Sequence, residues 1–280
     1  MDLGAELGWP GYRDRSVQRW RGGEGATVDD AVAEEAPVAL LYNGEPHVVM
    51  LATPLDLDDF ALGFSLTELI VAHSGEVEAI RVVERAEGIE VRVKIPAARF
   101  EAVQGQGRNL TGRTGCGLCG ARTLAQAVRK PAPVTSDLNV PEDALISALH
   151  TIGASQRLNA LTGAVHAAAW VVPGREDLVV REDVGRHNAL DKLLGALARR
   201  GEDFSSGFVL VTSRASFEMV QKCAVMGVGL LAAMSAPTGL AIRLAEASGM
   251  TLVGFARDRD HVVYTHPQRL VHLTSVVAEA

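Results

Sequence analysis

Val209-Leu210-Val211-Thr212-Ser213-Arg214-Ala215-Ser216 reads as a short apolar strand, a polar turn and the start of a helix. The helical pattern continues to Met226, and a second strand follows from Gly229 to Met234. Thr238 to Ser248 repeats the helix, and Thr251 to Phe255 repeats the strand. Upstream, Pro141 to Ser155 and His187 to Arg200 read as helices and Val165 to Val172 as a strand. Short apolar strands alternating with helices predict a layered α/β domain. Gly227-Val228-Gly229-Leu230-Leu231-Ala232 has the letters of a dinucleotide fingerprint, but it stands between a helix and the next strand. The fingerprint needs the reverse order, so that reading is rejected.

The first hundred residues follow another pattern. Val38 to Tyr42 and His47 to Leu51 are apolar runs around Asn43-Gly44, a strong hairpin signal. Thr53 to Asp59 supplies cap residues and acids before a helical stretch, Phe60 to Val71. Two strands follow, Ala79 to Glu84 and Glu90 to Ile95. The chain therefore divides into a loosely ordered tail over residues 1–26, a small α+β domain over 27–113 and an α/β domain over 114–280.

The chain has 280 residues, 48% of them hydrophobic, which is ample for one large or two ordinary cores. The start, Met1-Asp2-Leu3-Gly4-Ala5-Glu6, lacks the basic and apolar segments of a signal peptide. No apolar run is long enough to span a bilayer. Three cysteines, an odd number, argue against a secreted disulfide framework, so the cytoplasm is the expected compartment. A net charge of -7 excludes a general nucleic-acid binder, whose affinity rests on neutralising phosphates.

Cys116 and Cys119 stand in the glycine-rich run Thr114-Gly115-Cys116-Gly117-Leu118-Cys119-Gly120, near the end of an aperiodic stretch that begins at Gln104. A structural zinc site needs four ligands, and there is no second cysteine pair. His261 and His266 alone among the histidines have metal-like spacing, so no permanently bound metal is expected. Three readings stay open for the pair. Arg108, Arg113 and Arg122 would favour the thiolates, the forms that attack sulfur or bind metal. A thioredoxin-type redox pair would follow a strand near the chain start, which this pair does not. Buried inert thiols are the bland alternative. Cys223, inside an apolar helix, reads as core.

Arg181-Glu182-Asp183-Val184-Gly185-Arg186-His187-Asn188-Ala189-Leu190-Asp191-Lys192 is the densest polar cluster, at a strand-to-helix junction where α/β folds bind ligands. Its bland reading is a solvated turn with Asp191 and Lys192 as surface charges. Arg214 with two serine hydroxyls at a helix start suits a phosphate. The arginines of Phe255-Ala256-Arg257-Asp258-Arg259-Asp260 would clamp a phosphate or simply solvate a turn. His166-Ala167-Ala168 echoes the H-x-E of zinc deaminases, but alanine replaces the glutamate and the cysteines come before the histidine.

Together these stretches, with Ser213 to Lys222 and Ser235-Ala236-Pro237-Thr238, resemble the FdhD family of formate dehydrogenase accessory sulfurtransferases. The resemblance implies a sulfur carrier. Such a protein takes persulfide sulfur from a cysteine desulfurase and passes it to the molybdenum (or tungsten) bis-pterin guanine dinucleotide cofactor, before that cofactor enters the formate dehydrogenase catalytic subunit. It also implies a cytidine-deaminase-like α/β domain with a smaller N-terminal α+β domain, in a homodimer. Cys116 maps to the persulfide-bearing residue and Cys119 to an assisting or resolving thiol. Phe255, Ala256, Arg257, Asp258, Arg259 and Asp260 map to the cofactor-binding stretch, and Arg186, His187 and Arg214 are further candidates to hold the anionic cofactor. Two rival classes differ in kind: a module that only escorts the cofactor, and a zinc hydrolase or deaminase.

Overall fold

The computed structural model describes residues 8–105 and 131–272. Its first element departs from the expected loose tail. β1 (Tyr12–Arg21) and β2 (Glu24–Ala33) form an antiparallel hairpin that is in register from Tyr12↔Ala33 to Arg21↔Glu24. Gly22 and Gly23 make its turn at φ +58° and +91°, the left-handed values that tight hairpins require. Both strands are mostly exposed and carry charge on both faces. No alternation therefore marks them in the sequence.

β3 (Ala36–Tyr42) and β4 (Glu45–Ala52) are joined by Asn43-Gly44, as the sequence predicts, with φ of +51° and +95°. With β5 (Ala79–Arg85) and β6 (Gly88–Lys94) they build a four-stranded sheet in the order β4-β3-β6-β5, β3 and β6 being parallel. Val38, Leu40 and Tyr42 on β3 and Ile89, Val91 and Val93 on β6 are buried in alternation, which defines the covered face. α1 (Leu57–Thr67) carries Asp58 and Asp59 in its first turn, where acids complement the helix dipole. Ten of its eleven residues are buried, more than a surface helix with one apolar stripe would bury. α2 (Ala97–Gly105) follows β6.

Beyond residue 130, β7 (Val140–Pro141) leads into α3 (Glu142–Ser155) and the short α4 (Arg157–Thr162). Then come β8 (His166–Val171), β9 (Val179–Asp183), α5 (Arg186–Arg200) and β10 (Phe208–Val211). α6 (Phe217–Val225), β11 (Leu230–Ala233), α7 (Gly239–Ser248) and β12 (Thr251–Arg257) alternate after that. β13 (Asp260–Thr265) and β14 (Leu270–Val271) complete the order. A six-stranded sheet runs β13-β12-β11-β10-β8-β9. β10, β11 and β12 are parallel, while β8 runs antiparallel to β10 and β13 to β12. Every residue of β10 and β11 is buried, the continuous apolar run expected of strands covered on both faces. The structure is thus mixed α/β. Cys223 on α6 is buried, as its apolar surroundings predict.

The chain forms two compact units, and each is built from separated stretches. One takes the N-terminal stretch together with Gln156–Ala167 and Arg181–Gly201. The other takes the stretch ending at Ser155, then Ala168–Val180, and everything from Glu202 on. The expected boundary at residues 113/114 lies outside the described residues. In the first unit α1 packs on α5 at unusually short range. A Cβ on Gly63 would stand 1.8 Å from the Asp191 carbonyl oxygen, and one on Gly195 would stand 1.9 Å from that of Asp59. Only hydrogen at both positions lets these backbones meet.

Candidate functional site

In the second unit the three parallel strands end at one rim. The β10–α6 turn, Thr212 to Ser216, lies beside the β11–α7 turn, Met234 to Thr238, through an Ala215–Pro237 bridge and a bond from the Thr238 N–H to the Ala215 oxygen at 3.0 Å. Met234 N–H donates to the Val211 oxygen at 2.9 Å, and Phe255 N–H to the Ser235 oxygen at 3.2 Å. Arg257 Nε donates to the Met234 oxygen at 3.0 Å. Arg214 and the Phe255–Arg257 segment, far apart in sequence, are therefore brought to the same edge. This is the carboxyl end of a parallel sheet, the side on which open α/β sheets bind ligands.

The rim gathers groups that carry positive charge or free N–H donors. Ser216 and Thr238 stand as N-caps of α6 and α7, the Thr238 hydroxyl accepting from the Ala241 N–H, so both helices begin here with their positive dipole ends. Arg214, Arg257 and Arg259 are exposed; Asp258 stands between the latter two in the β12–β13 turn, and Asp260 opens β13. Ala256 is buried within β12. Phe255 is 46% exposed at a φ of +52°, in a stretch where the β12–β13 register shifts. A bulky side chain in that conformation is strained, and such strain persists where surrounding structure imposes it. Its exposed ring offers a flat apolar face. Gly254 permits the approach, since a Cβ there would meet Pro237 Cδ at 2.7 Å.

The Arg181–Lys192 run belongs mostly to the first unit's interior. Lys192 and Asp183 have no exposed side-chain surface and pair at 2.6 Å. The Lys192 ammonium also donates to the Thr53 oxygen at 2.9 Å, and the Thr53 N–H donates to Asp183 Oδ2 at 3.0 Å. Asp183 Oδ1 accepts from Gly185 N–H at 2.8 Å and from the Asn188 amide at 3.1 Å. Asp191 accepts from the Thr67 hydroxyl at 2.8 Å. The Glu182 carboxylate accepts from the Leu158 and Asn159 N–H groups at 2.9 and 2.8 Å, capping α4 from outside its own sequence. Arg181 binds Asp59 at 2.7 Å. Neither bland surface charge nor ligand contact describes Asp191 and Lys192; they hold α5 to the segments around Thr53 and Thr67. The signal was present: Asn188 and Lys192 are one helical turn apart, among leucines that are all buried.

Arg186 and His187 are the first two residues of α5. They act on His166 at the start of β8. Burial first, then Arg186 and His187, hold the His166 imidazole below its ordinary value of 6.5, with Asp183 opposing. His166 is thus a neutral imidazole at neutral pH within a locally positive field. Cys116 and Cys119 lie outside the described residues. Among those residues, no helix is long and apolar enough to cross a membrane.

The sequence pattern of the FdhD/NarQ family matches residues 33–271. A sulfur carrier protein FdhD from Cupriavidus necator is 55% identical over 267 residues, covering 95% of this chain and 93% of its own length. Another from Xanthomonas euvesicatoria pv. vesicatoria is 55% identical over 261 residues, covering 93% of each. A crystal structure from Desulfotalea psychrophila, described as that of a formate dehydrogenase accessory protein, superposes with a TM-score of 0.72 at 25% identity. That likeness covers 94% of this chain and 100% of the other. The match spans both units and includes the arginine-bearing rim and the Asp183–Lys192 network, so the chain belongs to the FdhD/NarQ family.

Proposed function

We propose that this protein is a sulfur carrier for formate dehydrogenase, with Cys116 as the residue that carries the sulfur. The near full-length identity of 55% to proteins named sulfur carrier protein FdhD supports this reading above all else. The chemistry is consistent with it. A Cys116 thiolate attacks the terminal sulfur of a desulfurase persulfide, the S–S bond breaks, and the desulfurase leaves as its thiolate. Cys116 then holds the persulfide with no net oxidation. Cys119 resolves it by attacking the Cys116 sulfur, which leaves a Cys116–Cys119 disulfide and releases the carried atom as hydrosulfide.

The receiving substrate is the molybdenum or tungsten bis-pterin guanine dinucleotide cofactor. Its phosphates suit the rim of Arg214, Arg257 and Arg259 with two helix N-termini, and Phe255 offers a stacking face for a flat ring. Asp258 and Asp260 sit at the rim's margin, where they favour hydrogen-bond donors over a further phosphate. Arg186 and His187, beside His166, are further candidates to hold an anionic group. We further propose that the α/β unit is layered like a cytidine deaminase, that the protein works as a homodimer, and that it acts in the cytoplasm with a cysteine desulfurase and the formate dehydrogenase catalytic subunit as partners.

The decisive experiment supplies a cysteine desulfurase with sulfur-labelled cysteine and maps the label by mass spectrometry. One labelled sulfur on the Cys116 peptide, absent from Cys116→Ala, is the expected result. No label on Cys116 would overturn the assignment, and an unimpaired formate dehydrogenase in cells carrying Cys116→Ala would leave an escort role instead.

A further inference from the structure

Glu142, His261 and His272 come from three elements, yet one donor atom from each lies within 4.8 Å of the other two. The parallel pairing of β14 with β7 explains half of this. Leu270 is level with Val140 and Val271 with Pro141, so the next step in register sets His272 level with Glu142. Glu142 opens α3, and His261 is the second residue of β13, after the β12–β13 turn. The two Nε2 atoms are 2.9 Å apart, with the rings inclined by only 12°. Glu142 Oε1 lies 4.0 Å from His261 Nδ1. The His261 and Glu142 side chains are 7% and 24% exposed, and His272 faces solvent.

We infer that Glu142, His261 and His272 form a binding site for one divalent transition-metal cation of the zinc type. Two imidazoles and one carboxylate are the donor set of many three-ligand zinc sites, the fourth position being left to water. Imidazole nitrogens select zinc, nickel or copper over magnesium or calcium, which take oxygen. At metal–nitrogen distances of about 2.0 Å, tetrahedral ligands stand roughly 3.3 Å apart, so the two nitrogens must part by a few tenths of an ångström and the rings, which now meet head-on, must turn toward a common ion. Exposed His272 gives the ion an entry path, and Glu142 supplies the negative charge that two neutral imidazoles lack. Without a metal, the same contact is one hydrogen bond between the two rings. The spacing rules that found no metal set in the sequence could not find this one, because its ligands meet only through the β7–β14 ladder. The inference is independent of sulfur transfer.

The test uses the full chain carrying Cys116→Ser and Cys119→Ser, so that these two thiols do not compete for the ion. Zinc is titrated against a chromophoric chelator. One equivalent is expected, undiminished by excess magnesium. The exposed His272→Ala should abolish that equivalent with the circular dichroism spectrum unchanged, as should His261→Ala. Glu142→Gln should weaken binding by about 10- to 100-fold. No stoichiometric zinc, or equal zinc affinity in the His261→Ala/His272→Ala double variant, would overturn the site.

Discussion

Lys192 shows what a single residue decides in this fold. Its ammonium is fully enclosed and held by Asp183 at 2.6 Å and the Thr53 carbonyl at 2.9 Å. Lys192→Met keeps most of the volume but strands a buried carboxylate, which costs about 3–5 kcal/mol when one partner of such a pair is lost. Urea unfolding should show that loss, and Asp183→Asn in the same chain should recover part of it. His166 gives a pH effect of definite sign. Its folded proton affinity is depressed, so the unfolded chain takes up the proton first as pH falls below the ordinary 6.5. Its contribution to stability is complete above that pH and shrinks below it. The stability difference between wild type and His166→Gln should therefore move against the wild type between about pH 7 and about pH 5, and a constant difference would contradict the assignment. At this scale the sequence was half legible. It marked the Arg181–Lys192 run as functional because polar density looks alike in a cleft and in a core. What separates the two cases is Thr53, some 130 positions away from Asp183.

Among the elements, the α1–α5 crossing sets the tightest constraint. Gly195→Ala would drive a methyl group against the Asp59 carbonyl, and no side-chain rotation can relieve a backbone clash. A loss of about 1–3 kcal/mol or more is expected in chemical unfolding. Gly153→Ala on α3 is the control: a Cβ there meets nothing within 4 Å, so a gain of about 0.4–1 kcal/mol is expected. Element types were read well where apolar periodicity was strong. The Asn43-Gly44 hairpin, the α6 and α7 helices and β10 to β12 all stand within a few residues of their predicted places. The β1–β2 hairpin and β13 were missed for one reason: each carries charge on residues that a sequence reader assigns to turns or tails. Pairing of their backbones, not burial of their side chains, makes them strands.

The whole molecule is assembled from stretches that return to each unit more than once, and no sequence pattern announced it. Residues 1–128 expressed alone lack α5, and with it Lys192, Asn188 and the Gly195 face of the crossing. Such a fragment should show no cooperative unfolding transition by circular dichroism; a sharp one would mean that α1 and the four-stranded sheet suffice. The same return of the chain has a consequence for its synthesis. Thr53 cannot meet Asp183 until 130 further residues have been added, roughly 10 s at bacterial elongation rates. Through that interval the apolar surface of α1 stands at the ribosome without its covering helix, so nascent chains should be held by general chaperones until residue 201 is clear. A ribosome pause placed just before α5 would lengthen the exposure, and one placed after it would not.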